Sequence, residues 1–482
     1  MFSFRPIFLV VGVLLATLGC AMMLPAIVDL AYDNPDWQVF AVSSLITVMV
    51  GVGLWLATRG APTVLSLRQA FVLTVFAWIS LCAFGALPLY LSGVLPTFTD
   101  ALFESMSGLT TTGATVITGL DAAPPGILFW RGLQQWLGGL GIIVMAIAVF
   151  PMLQVGGMQL FKAEAFDTPE KILPRATQIS SVMTLIFIVF TGACFFAYLA
   201  AGMNAMDAIV HAMTTVATGG FSTRDASIGH FDSDAIEMVA ITFMILGSLP
   251  FLLYVKVLQG RPDALIFDSQ VIGFFVLMVA FIAIVWLLVL MPVHDGEGSA
   301  LLLAAFNVVS IMTGTGYASD NYHAWGPSAA ALFLVIMFIG GCAGSTSCGI
   351  KVFRFQVVAQ DLAQHLNRIV YPNGIFVKRF NGRVLPDSVS AAVFSFLFLY
   401  IASFAALTGA LALTGLDSVT ALSGAATAIS NVGPGLGEII GPAGTFTDVN
   451  DVAKWLLTAG MLVGRLEIFT VLVLFLPQFW RV

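Results

Sequence analysis

Charge is what this sequence has least of. Of its 482 residues only 9% are Asp, Glu, Lys or Arg, where an ordinary soluble domain carries about a quarter. The mean hydropathy is +0.99. A chain this poor in polar groups cannot cover its surface in water, which excludes a soluble enzyme, a nucleic-acid binder and a disordered scaffold. Cysteine is also sparse. Cys20, Cys82, Cys194, Cys342 and Cys348 lie scattered in apolar stretches, in neither a disulfide framework nor a metal cluster, and Cys20 is expected to pack within a helix. No helix carries the repeated arginines of a voltage sensor. No Ser-His-Asp, histidine-rich or paired-carboxylate constellation falls within one membrane leaflet, which argues against a membrane-embedded enzyme.

Apolar runs fill the space instead. They occur near 6–28, 38–58, 70–93, 126–155, 178–202, 234–258, 270–293, 327–350, 388–414 and 452–479, and most exceed the roughly 18 residues that mark a spanning helix. An all-α membrane protein of about ten spans follows. If the runs alternate, 15 of 19 basic residues fall on one side, so both termini are expected to be cytoplasmic. Of the 26 acids, 17 fall on the opposite face. That excess either concentrates cations at an entrance or reflects only the exclusion of basic residues from outer loops. The composition leaves both readings open.

Between the long runs lie four shorter ones, near 98–110, 205–217, 300–313 and 417–430, too short to span and too apolar for water. Each ends in a loop of small residues: DALFESMSGLTTTGAT, DAIVHAMTTVATGGFST, LAAFNVVSIMTGTGYAS and ALSGAATAISNVGPGLG. Aligned on Gly113, Gly220, Gly316 and Gly433, the copies are spaced by 107, 96 and 117 residues. Nine residues before each glycine stand Glu104, His211, Asn307 and Gly424, and thirteen before the first two stand Asp100 and Asp207. An acid early in a half-helix suits the positive end of its dipole. His211 is read as a hydrogen-bonding brace, from its match to Glu104 and Asn307.

The repeating unit is therefore helix, re-entrant half-helix, loop, helix. Non-helical backbone at membrane depth survives only when buried in protein or lining a water-filled cavity. Four such loops can meet around one axis and offer a dehydrated monovalent cation a ring of carbonyl oxygens. The residues expected to bind it are Thr111, Thr112 and Gly113; Thr218, Gly219 and Gly220; Thr315 and Gly316; and Asn431, Val432 and Gly433. The units are placed at 67–160, 161–260, 261–370 and 371–482, with 1–66 a two-helix extension outside the repeat.

At these motifs the chain resembles the Trk/Ktr/HKT superfamily of potassium transporters, most closely its TrkH branch. The resemblance rests on TTTGAT, ATGGFST, TGTGY, SNVGPG, GGCAGSTSCGIKVFRF and GRLEIFT and covers nearly the whole chain. It implies one filter glycine per repeat at Gly113, Gly220, Gly316 and Gly433, with potassium as the transported ion and no organic cofactor. It also implies a homodimer in the bacterial cytoplasmic membrane with one pore per protomer, and a TrkA-like ring of nucleotide-binding subunits beneath. Relatives that favour sodium often carry serine at the first filter glycine, where this chain has Gly113.

Two further features read as a gate. Gly340, Gly341, Gly344, Ser345, Thr346, Ser347, Cys348 and Gly349 crowd one short stretch inside an apolar run, too many weak helix formers for a continuous helix. The stretch is expected to be a loop beneath the filter, and the resemblance implies a mobile gating loop there. Arg465 lies deep in the last run, where a charge is costly and usually functional. It is read either as a positive barrier beside the pore or as half of a buried ion pair. Lys351 and Arg354 follow the loop and suit either lipid headgroups or relay from a cytoplasmic partner docked on 351–385. The expected function is potassium uptake through a selective, gated four-repeat pore. The alternative is a secondary transporter that couples potassium to protons or sodium.

Overall fold

The computed structural model describes residues 2–61, 65–148, 172–291 and 297–481. The end of the run at 126–155, Lys162, Lys171, Asp295 and the expected boundary at 160/161 lie outside them. The described residues are mostly helical, with almost no strand. Their strands are Arg379–Phe380 and Arg383–Val384, an antiparallel hairpin. Asn381 and Gly382 join them at φ of 46° and 77°, the left-handed pair that a two-residue Asn-Gly turn provides.

Six helices among the described residues are long and apolar enough to cross a membrane: Arg5–Ala31, Trp37–Thr58, Leu67–Leu91, Gln178–Ala200, Ser269–Leu290 and Asp387–Leu413. Two bent pairs raise the number to 8. Three of the expected runs are broken rather than continuous, each for a local reason. The run at 234–258 bends by 89° between Ser248 and Phe251, at Pro250, whose ring cannot continue a helix. The last run bends by 112° after Arg465, where Glu467 takes a φ of 60°. The run at 327–350 is helical only over Pro327–Met337.

The four short stretches are half-helices: Phe98–Leu109, Ala205–Val216, Glu297–Met312 and Ser418–Ser430. Thr97, Asn204 and Asp417 cap three of them, each side chain accepting a backbone N–H of the first turn. The first two helices of the chain pack closely on each other. A Cβ at Gly12 would lie 2.7 Å from Gly51 O, the close backbone approach typical of membrane helix pairs. The buried Asp29 accepts the Gly126 N–H at 2.7 Å, which ties this pair to the start of the helix Pro125–Ala148. Cys20 faces outward rather than packing inside, because the glycine beside it is the residue turned to the neighbouring helix.

Candidate ion pathway

Each half-helix ends the same way. The residue two before each aligned glycine is left-handed, with φ of 51° at Thr111, 49° at Thr218, 75° at Gly314 and 51° at Asn431. The glycine itself is left-handed again, at 88°, 78°, 80° and 108° for Gly113, Gly220, Gly316 and Gly433. The intervening N–H turns back into the half-helix. Thr112 donates to Ser107 O at 2.8 Å, Gly219 to Thr214 O at 2.8 Å, Thr315 to Ser310 O at 2.9 Å and Val432 to Thr427 O at 3.1 Å. This is the Schellman type of helix ending, used four times. Thr111 and Thr218 hold it although branched side chains resist that region. Such strain persists only where the surroundings enforce it.

The four loops close into a ring. A Cβ at Gly113 would fall onto the carbonyl oxygen of Gly219, at Gly220 onto that of Thr315, at Gly316 onto that of Val432, and at Gly433 onto that of Thr112, 2.7 Å away. Each copy thus touches the next, and the fourth touches the first. Among the described residues the carbonyls of Thr112, Gly113, Gly220, Thr315, Gly316, Val432 and Gly433 accept no hydrogen bond. Free carbonyls gathered at one ring can replace the hydration shell of a monovalent cation.

Above the ring lies a cavity of about 560 Å³, lined by all four glycines and by Arg131, Arg224, Asp225, Glu438 and Asp448. The polar residues in register brace its walls. Glu104 accepts Val116 N–H at 2.9 Å. His211 Nε2 meets Ser222 Oγ at 2.9 Å, and Asn307 Nδ2 meets Ser319 Oγ at 3.0 Å. In the fourth copy Gly424 has no side chain, and Ser423, one residue earlier, accepts Leu436 N–H at 2.9 Å. Asp100 and Asp207 each pair with a cation, Lys454 at 2.6 Å and Arg224 at 2.7 Å. His323 Nδ1 accepts the Gly437 N–H at 3.3 Å.

Beneath the ring sits the small-residue stretch, a loop from Phe338 to Lys351 tied at its base by Ile350 N–H to Phe338 O and Gly340 N–H to Ile350 O, both 3.0 Å. Gly341 N–H donates to Ser347 Oγ at 2.7 Å and Ser345 Oγ to Cys342 O at 2.7 Å. Gly344 O accepts Phe251 N–H at 2.9 Å, and Gly344 and Gly349 turn at φ of 77° and 73°. The tip touches the ring from below. Thr218 Oγ1 donates to Thr346 Oγ1 at 3.1 Å, and Thr111 Oγ1 lies 3.7 Å from Cys348 Sγ. A space of only about 50 Å³ remains between the loop, Tyr400, Ile429 and Arg465.

Arg465 is buried and bonds to the loop and to a neighbouring helix, not to an acid. Its guanidinium donates to Thr346 O at 3.2 Å, to Cys348 Sγ at 2.6 Å and to Gly138 O at 3.3 Å. The ion-pair reading of Arg465 is thus not what forms. Glu467 pairs instead with Arg354 at 2.5 Å, and the Arg354 guanidinium stacks 3.6 Å from the centre of the Phe396 ring. Arg354 is therefore buried in protein rather than presented to lipid headgroups, and Lys351 Nζ donates to Ser347 O.

Residues 36–481 match the family described as TrkH, cation transport protein. The chain belongs to the TrkH family. The TrkI potassium uptake protein of Halomonas elongata is 44% identical over 479 residues, covering 99% of this chain and 97% of the relative. The TrkH potassium uptake protein of Escherichia coli is 40% identical over 484 residues, covering 99% of each. The crystal structure of the potassium transporter TrkH from Vibrio parahaemolyticus superposes over the whole of both chains with a TM-score of 0.92 at 38% identity. As a member of the TrkH family the chain is a membrane transporter and not an enzyme.

Sequence reasoning missed the polar side chains of the helix Pro125–Ala148. Arg131 pairs with Glu104 at 2.8 Å and donates to Ser222 O at 2.8 Å. Gln134 reaches Ser105 Oγ at 2.9 Å. Arg131, Gln134 and Gln135 in one apolar run were the available signal, since membrane helices carry such groups only where they find partners.

Proposed function

We propose that this chain conducts potassium into the cell through the ring formed by Gly113, Gly220, Gly316 and Gly433. The loop 340–349 and Arg465 close the path from the cytoplasmic side. The observation that carries this reading is the cyclic contact of the four glycines with four carbonyls of their neighbours. Fourfold convergence on one axis favours a pore over the two halves usual in alternating access. Thr111, Thr112, Thr218, Gly219, Thr315, Asn431 and Val432 complete the filter strands. The four units run from 67 to 160, 161 to 260, 261 to 370 and 371 to 482. Potassium is the ion for which the relatives are named.

The reading includes a homodimer in the bacterial inner membrane, both termini cytoplasmic, and a TrkA-like nucleotide-binding ring as regulator. It is supported by the amphipathic helix Val352–Val370 after the loop, which leaves Leu362, Leu366, Ile369 and Val370 exposed. Recording from the purified chain in a planar bilayer tests the pore. Discrete currents that reverse near the potassium potential are expected. Transport at carrier turnover that requires a proton or sodium gradient would establish the secondary transporter instead.

A further inference from the structure

Gln135 stands behind the second strand of the ring. It is fully buried on the helix Pro125–Ala148 and is not among the residues lining the outer cavity. Its Nε2 donates to the carbonyl of Gly219 at 2.6 Å, and its Oε1 accepts the N–H of Phe221 at 3.0 Å. One amide therefore grips the strand on both sides of Gly220. Strand and side chain are in contact, since a Cβ at Gly219 would fall onto the Gln135 amide.

The matching carbonyls of the other strands, Thr112, Thr315 and Val432, accept no hydrogen bond among the described residues. All four oxygens occupy the same place, each against the glycine of a neighbouring strand. They are alike in position and unlike in bonding. The adjacent Gln134 does not share this role, because its Nε2 is spent on Gly85 O at 3.1 Å and Ser105 Oγ at 2.9 Å.

We infer that Gln135 is a positioning residue that sets the ion selectivity of the ring by tethering the Gly219 carbonyl. The inference rests on the reading of the ring as a potassium filter. A free carbonyl can tilt inward to follow a smaller ion. One held by a hydrogen bond cannot do so without giving that bond up. The positively polarised N–H beside the oxygen also opposes a cation bound there. Both effects penalise sodium, the smaller and more strongly hydrated ion, relative to potassium.

The test is the reversal potential of the full chain in a planar bilayer with potassium on one side and sodium on the other. This readout does not depend on how many molecules have folded. Gln135→Met keeps the volume and removes both hydrogen bonds. The permeability ratio of potassium to sodium is expected to fall about five-fold, the size of one buried hydrogen bond. Gln135→Asn, one methylene shorter, is expected to move the ratio in the same direction with less disturbance of packing. A wild-type ratio in either folded variant overturns the inference. Failure of both to fold makes Gln135 a residue that holds the fold, which also overturns it. Wild type and Gly113→Ser separate the two levels. A wild type without preference for potassium defeats the filter reading itself. A selective wild type, degraded by Gly113→Ser and unmoved by the Gln135 variants, defeats only the role of Gln135.

Discussion

The side-chain amide of Asn431 donates to Thr112 Oγ1 at 2.9 Å, joining two residues 319 positions apart. This contact closes the ring between its last and first copies. The same nitrogen donates to Met461 O at 2.9 Å, and Asn431 is itself left-handed, as asparagine tolerates. The other seams use different chemistry. Gln135 and Arg131 join the first copy to the second, and Tyr317 Oη meets Thr215 Oγ1 at 3.1 Å between the second and third. The backbone is repeated while the side chains that fasten it are not.

Asn431→Gly removes the seam while leaving the backbone free to keep its left-handed turn. Loss of the contact is expected to cost about 1–3 kcal/mol, since buried groups lose their partners. Thermal unfolding in detergent should show the lower stability, and reversal potentials should show weaker discrimination against sodium.

Substitutions at the ring glycines should differ in severity. Alanine at Gly433 meets Thr112 O at 2.7 Å, whereas at Gly113, Gly220 and Gly316 it meets the neighbouring carbonyl more closely still. Gly433→Ala is therefore expected to keep more potassium selectivity than Gly220→Ala. Equal reversal potentials for wild type and all four alanine variants would contradict the ring.

Thr346 fastens the loop through Gly247 O at 2.9 Å, Val216 O at 3.2 Å and Thr218 Oγ1 at 3.1 Å. Thr346→Val keeps the shape and removes these bonds. Weakening the closed arrangement by about 1 kcal/mol should raise basal potassium flux about five-fold in vesicles without added nucleotide. Flux per folded molecule at the wild-type level would count against a closed gate.

Arg465→Ala and Glu467→Gln should part company. Arg465 has neutral partners, so removing it strands no opposite charge, and flux per folded molecule should rise as the positive barrier goes. Glu467→Gln takes the charged partner out of a buried ion pair with Arg354, and weakening such a pair costs stability. Yield and melting temperature should fall in Glu467→Gln and hold in Arg465→Ala. The reverse pattern would make Arg465 the structural residue.

The four half-helices and their glycines were legible in the amino-acid sequence because their geometry is local. A half-helix, its cap and its left-handed ending are set within about a dozen residues, and glycine marks a place where the backbone turns left. The loop at 340–349 was legible for the same reason, as too many poor helix formers stand together. What composition could not convey is which polar groups meet across the ring. Glu467 lies two residues from Arg465, yet it pairs with Arg354, 113 residues away, because the bend after Arg465 turns the two side chains to different neighbours. Gln135 in an apolar run signals that a polar partner exists, but only the packing of the second copy against its helix shows that the partner is the Gly219 carbonyl. Hydrogen bonds act over about 3 Å, so between residues distant in sequence they exist only once the packed helices have brought donor and acceptor together. The turns of this ring belong to its sequence, and its fastenings belong to its tertiary structure.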